Sequence, residues 1–156
     1  MQRAKKDLKR GRSASTAAGE FVREEMDHIR EGKHGARSAK QAIAIGLSKA
    51  RRAGVPLKAP TRGKASTKKQ AKRDLAKGQH PTKPSRTRSR ATTKALKKEP
   101  HRAASHRALA TQAHKTANRR GAAARSASAR KAARTKGPAA RKAAARKAAA
   151  TRKRAD

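Results

Sequence analysis

Cysteine, tryptophan and tyrosine are absent from the 156 residues, and Phe21 is the sole aromatic side chain. The first absence excludes disulfides, thiolate metal sites and cysteine nucleophiles, and it suits a reducing compartment such as the cytoplasm. A single aromatic offers no stacking platform for unpaired bases. Large aliphatics are scarce as well. Leu, Ile, Val and Phe together number 12, far below the roughly 20% under which a highly charged chain usually stays unfolded. Ordering a residue costs ~1–2 kcal/mol in backbone entropy, and alanine-rich segments bury little area to offset it. No apolar run approaches the ~20 residues of a membrane span, and no secretory apolar core follows Met1. The basic opening of residues 1–18 has some features of an organelle transit peptide, but Asp7 and the lack of apolar residues beyond Leu8 argue against one.

Acidic residues are the other scarcity. The chain carries 46 Lys and Arg against 9 Asp and Glu, a formal net charge of +37. Packed into one globule such charge repels itself, so a polyanionic partner is the economical explanation. The charge is uneven. Residues 1–60 hold 15 basic and 6 acidic residues, whereas residues 61–156 hold 31 and 3. Beyond Pro60 the only larger aliphatics are Leu75, Leu96 and Leu109. This break divides the chain into a basic arm over 1–14, a folded segment over 15–55 and a basic tail over 56–156.

The middle segment reads as two helices. The first spans about 17–31, capped by Ser15 or Thr16, with Glu20, Glu24 and Glu25 towards its N-terminal half, where the helix dipole favours negative charge. Val22, Met26 and Ile29 form an apolar stripe with Phe21 beside it, and Gly32 closes the helix before the loop 33–37. The second begins at Ser38, where Ser38-Ala39-Lys40-Gln41 matches a capping box, and stops at Gly54 and Pro56. Ile43, Leu47 and Ala50 share a face, with Gly46 permitting close approach. The expected product is a helical hairpin whose core is Phe21, Val22, Met26, Ile29, Ile43 and Leu47, with Phe21 and Met26 on Ile43 and Leu47. Roughly forty residues lie at the lower limit for independent folding. Weak homodimerisation through the hairpin, or nucleic acid, is expected to complete it.

The tail is low in complexity, with Ser and Thr among Arg and Lys and with prolines as punctuation. It is expected to be disordered, so that the chain as a whole is mostly disordered, gaining helix only when phosphates screen its cations. Its candidate phosphate contacts are Lys83, Arg86, Arg88, Arg90, Arg119, Arg120, Arg130, Lys131, Arg134, Arg141, Lys142, Arg146, Lys147, Arg152 and Lys153. Arg141-Lys142 and Arg146-Lys147 are each followed by three alanines. Steps of five residues advance about 140° net around a helix, so these cations surround it. That suits bridging of two duplexes better than a membrane surface, which needs a large apolar face. A faint echo relates residues 4–11 to residues 71–78, AKKDLKRG against AKRDLAKG, a similarity that chance supplies readily in such a composition.

Other constellations carry less. The six histidines, His28, His34, His80, His101, His106 and His114, show no metal-ligand spacing and no accompanying cysteine, so neither a metal nor a cofactor is expected. Glu20, Glu24, Glu25, Asp27 and Glu31 are expected to serve helix electrostatics and pairing with Arg23, Arg30 or the tail. No nucleophile, base and pocket assemble, so the chain is not expected to be an enzyme. Ser85, Ser89, Ser126 and Ser128 lie among basic residues, where phosphorylation would cancel ~1.5–2 charges each.

The segments 19–35 and 38–54, the latter reading SAKQAIAIGLSKARRAG, resemble a small uncharacterised bacterial domain that pairs an acidic first helix with a KQAIAIGLSEAR-type second helix. Lys49 stands where that family often has Glu, and the resemblance implies no activity. Residues 61–156 resemble, in composition, the tails of linker-histone-like bacterial proteins and of linker histones, which implies duplex binding and compaction. The winged-helix domain of linker histones is missing. The sequence therefore points to a histone-like, nucleoid-associated protein of the cytoplasm that binds DNA non-specifically. RNA binding, or a protein-interaction hairpin tethered to nucleic acid by its tail, remain as alternatives.

Overall fold

The computed structural model describes residues 2–153. Among these residues lie seven α-helices and one 3-10 turn: α1 (Gln2–Lys9), α2 (Ala14–Arg30), α3 (Ala39–Arg52), α4 (Ala65–Gln79), α5 (Arg86–Lys97), the 3-10 turn His101–Ala104, α6 (His106–Arg119) and α7 (Gly121–Lys153). They fall into two compact units, residues 1–112 and the residues from 113 onward.

The two expected helices are α2 and α3, with altered ends. Gly11 adopts φ +71 and ends α1, which leaves Ser13 as the first extended residue before α2. Its hydroxyl accepts the Thr16 N–H at 3.3 Å, so Ser13, rather than Ser15 or Thr16, is the cap. Gly32 closes α2 with φ +75. At α3 the Ser38 hydroxyl accepts the Gln41 N–H at 3.2 Å. The Gln41 side chain reaches back one residue further than a capping box requires and accepts the Arg37 N–H at 2.9 Å. Where α2 crosses α3, a Cβ on Gly46 would lie 2.7 Å from Val22 Cα, so only glycine permits this approach.

The hairpin core divides into two clusters. Phe21 joins Ala4, Ala17, Ala18, Ala50 and Val55, with Leu8, Leu47 and Leu57 against them. Met26 and Ile29 join Ala36, Ala42, Ala103 and Ala104, with Val22, Ile43 and Leu109 alongside. Phe21 and Leu47 thus belong to one end and Met26 and Ile43 to the other, because α1 inserts Ala4 and Leu8 at the first end and the 3-10 turn inserts two alanines at the second.

The expectation of a mostly disordered chain, with an intrinsically disordered tail from residue 56, is overturned. Helices α4 to α7 occupy most of residues 65–153. Residues expected to be disordered are helical. The first half of this stretch is built into the fold. Asp74 of α4 is buried and accepts hydrogen bonds from Ser48 (2.7 Å), Arg52 (2.9 Å) and Gln70 (3.0 Å), which ties α4 to α3. A Cβ on Gly78 would meet the Arg51 carbonyl at 2.1 Å. After α5, the Gly35 N–H donates to Leu96 O (2.9 Å) and the Ala36 N–H to Pro100 O (3.1 Å). The Arg30 guanidinium donates to Ala104 O at 3.0 Å.

Composition misleads here because the core is made of alanine. Of fourteen buried apolar residues among those described, ten are alanines. Alanine buries little area but has the highest helix propensity and loses no side-chain entropy. It also lets helix axes approach closely, so main-chain packing replaces bulk. The echo between residues 4–11 and 71–78 takes one form in space. Ala4 and Ala71 are buried, Leu8 and Leu75 half-buried, and the intervening cations exposed, on helices packed against α2 and α3 respectively.

In the second unit α7 is two helices joined at Gly137 (φ +69), with Pro138 opening the second. No residue of α7 is buried, so its helicity rests on alanine propensity alone.

Candidate nucleic-acid interface

Every cation singled out in the sequence is exposed, from Lys83 to Lys153. They divide between the two units. Lys83 lies in the loop before α5, which is capped by Ser85 through its hydroxyl and the Arg88 N–H. Along α5, Arg86 and Arg90 stand four residues apart, and Lys94 and Lys97 continue the row. Arg88 projects from another side of the same helix. Two shallow grooves of about 530 and 420 Å³ run beside this row, sharing Ser89 and Arg90. Because α5 buries nothing, this ridge of cations costs the fold no packing.

The other expected contacts belong to the second unit. Arg119 ends α6, Arg120 lies between the helices, and Arg130, Lys131 and Arg134 lie on the first half of α7. Arg141, Lys142, Arg146, Lys147, Arg152 and Lys153 lie on the second half. At about 100° per residue, Arg141, Lys142, Arg146 and Lys147 stand near 0°, 100°, 140° and 240°. Positive charge therefore faces more than one side of the rod. Two guanidinium groups are oriented by serines: Arg120 donates to the Ser128 hydroxyl (2.9 Å) and Arg130 to that of Ser126 (3.1 Å). Arg141 donates to Gly137 O at 3.3 Å, which spans the kink.

The acidic residues of α2 stay with their own neighbours. Arg23 pairs with Glu20 (3.0 Å) and Arg30 with Asp27 (3.4 Å). Lys33 sits 2.8 Å from Glu31. Its hydrogen bond, and then its charge, hold the exposed Glu31 carboxyl below the ordinary value, against a small opposing effect of desolvation. Glu25 differs, being fully buried. Lys49 of α3 donates to its Oε2 at 2.5 Å, so the lysine found where the resembling family often has Glu is the partner of a buried carboxylate. His34 Nε2 lies 3.3 Å from Oε1. His28, one turn beyond Glu25 on α2, completes a group whose ligand atoms all lie within 4.8 Å of one another. Sequence spacing did not reveal this group, because His34 reaches it through the turn at Gly32 rather than along a helix. Glu25-x2-His28 on one helical face was the one available signal.

No helix among the described residues is long and apolar enough to cross a membrane. Residues 14–62 match a family of unknown function (DUF6496), which covers α2, α3 and the turn beyond them. No curated protein and no solved structure matches the chain.

Proposed function

We propose that the chain binds nucleic acid without sequence preference, as a histone-like, nucleoid-associated protein that neutralises phosphates and bridges or compacts duplex DNA. One observation carries this reading. Between His101 and Lys153 the chain has sixteen Lys and Arg and no Asp or Glu, on helices whose cations are exposed. No carboxylate in that stretch competes with phosphate for them. Each phosphate neutralised releases condensed counterions, and that release supplies the affinity. Arg contributes planar forks able to take two phosphate oxygens, and Lys contributes mobile point charges.

Preformed helix matters to this reading. A tail that orders only on binding pays its ordering entropy at that moment, and helices already present reduce the cost. The spread of charge around α7 favours contact with phosphates on more than one side, the geometry of a bridge between duplexes. Ser126 and Ser128, hydrogen-bonded to arginines of this surface, are positions where phosphorylation would weaken binding.

The test is fluorescence anisotropy of the full chain with random duplex DNA and with structured RNA, titrating salt from about 50 to 300 mM. Duplex binding is expected to be at least as tight as RNA binding, with a steep salt slope. Removing residues 121–156 should weaken binding to all sequences alike and flatten the slope by about 0.9 for each phosphate no longer neutralised. Unchanged binding after truncation overturns the assignment to α7. A strong preference for RNA moves the protein to that class.

A further inference from the structure

We infer that Glu25, His28 and His34 form a binding site for one zinc ion, clamping α2 to the loop 33–37. The inference is independent of nucleic-acid binding and begins with a polar atom lacking a partner. Glu25 Oε1 is buried and accepts no hydrogen bond, although His34 Nε2 lies only 3.3 Å away. The distance is short enough for an ion pair, yet the two atoms make no hydrogen bond. Two ligands of one ion behave in this way, pointing at the space between them rather than at each other. Donors at ~2.0–2.1 Å from a tetrahedral zinc stand about 3.3 Å apart, the separation found here.

The tautomer agrees. His34 Nδ1 lies 3.1 Å from Gly35 O, a carbonyl that only a protonated Nδ1 can engage. With the proton on Nδ1, Nε2 is left with a lone pair 3.3 Å from a buried carboxylate oxygen, and a cation held by both atoms would relieve that apposition. A ring nitrogen donated to a main-chain carbonyl is the usual support of a metal-ligating histidine. His28 supplies the third donor. Its ring stands edge-on to that of His34, with centroids 6.4 Å apart, and its ligand atom lies within 4.8 Å of the other two. Binding would have to draw the His28 nitrogen inward from that distance. Lys49 keeps Oε2 occupied, so Glu25 binds through Oε1 alone, and water takes the fourth position. Two imidazoles and one carboxylate suit zinc. The loop that carries His34 also receives the chain at Leu96 and Pro100 through Gly35 and Ala36, so the ion would stiffen that junction.

The experiment titrates the full-length apo chain with Zn²⁺ by calorimetry and with Co²⁺ by visible absorption. One ion per chain is expected, with the absorption of tetrahedral Co²⁺ and a thermal transition raised by metal. His28→Asn and His34→Asn should each weaken binding by more than the roughly 10–100-fold that loss of a supporting second-shell group costs. Glu25→Gln risks the fold through Lys49, so a complementary variant replaces His80, His101, His106 and His114 by Asn and should retain full affinity. No binding, unaltered binding in the His28→Asn/His34→Asn double variant, or loss of binding in the four-histidine variant would each overturn the site.

Discussion

Alanine plays opposite parts in the two units. In residues 1–112 it falls at helical spacing on faces that meet other helices, and ten alanines of that unit are buried. In α7 it comes in blocks of three between pairs of cations, and no residue is buried. The first arrangement converts the smallest apolar side chain into a core, because Gly46 and Gly78 let backbones meet. The second yields helices that bury none of their residues and whose charge faces several ways. Composition alone does not separate the two; placement does. The first unit should therefore melt cooperatively, whereas α7 loses helix gradually with temperature, as isolated helices do.

The largest test of that contrast is Gly46→Val. The Cβ alone would sit 2.7 Å from Val22 Cα and 3.1 Å from Phe21 O, and main chain yields poorly. Overpacking of this kind costs about 3 kcal/mol. Circular dichroism should show the cooperative transition falling by about 10–15 °C, with the gradual component untouched. A transition that stays in place would mean that α2 and α3 do not pack at this distance.

Asp74→Ala should have a smaller effect. The carboxylate is buried under three donors, but the Arg52 side chain is 51% exposed and can return to water. Removing the acceptor should cost about 2 kcal/mol, read as a lower urea midpoint of the cooperative phase. An unchanged midpoint would detach α4 from the core and restore residues 65–79 to a tail.

The hairpin was legible because its signals are local. Ser38 before Lys40-Gln41, Gly32 after the Val22-Met26-Ile29 stripe, and Gly54 with Pro56 each report on a helix end within a few residues. The packing of residues 65–112 was not, since it depends on single alanines such as Ala71, Ala103 and Ala104, which look the same in a packed face as in an exposed one. Asp74 illustrates the limit. It lies among Lys72, Arg73 and Lys77 in a run of polar residues, and only the approach of Ser48 and Arg52 makes it a buried anchor. The exposed cations were legible as charges, but their division between α5 and the rod of α7 was not. The grouping of Glu25, His28 and His34 depends on a left-handed turn at Gly32 whose direction no spacing rule supplies.

The smallest expected effect concerns the kink. Gly137 (φ +69) and Pro138 separate two stretches of α7 that would otherwise run as one helix. In a helix interior Gly costs about 1 kcal/mol and Pro about 3 kcal/mol relative to Ala, although Pro at the first position of the second stretch incurs little of that penalty. Replacing both residues by Ala should therefore add helix only locally. The gradual melting component should gain a little amplitude, and the cooperative transition should not move, because no residue of α7 contributes to the buried core. The same variant bears on bridging. A continuous rod carries the same charge, so affinity for one short duplex should be unchanged. Only the joining of two duplexes, read by light scattering at equal occupancy, should respond to removal of the bend. A shift of the cooperative transition in this variant would show that α7 supports the first unit, and the contrast between the two parts of the chain would fail.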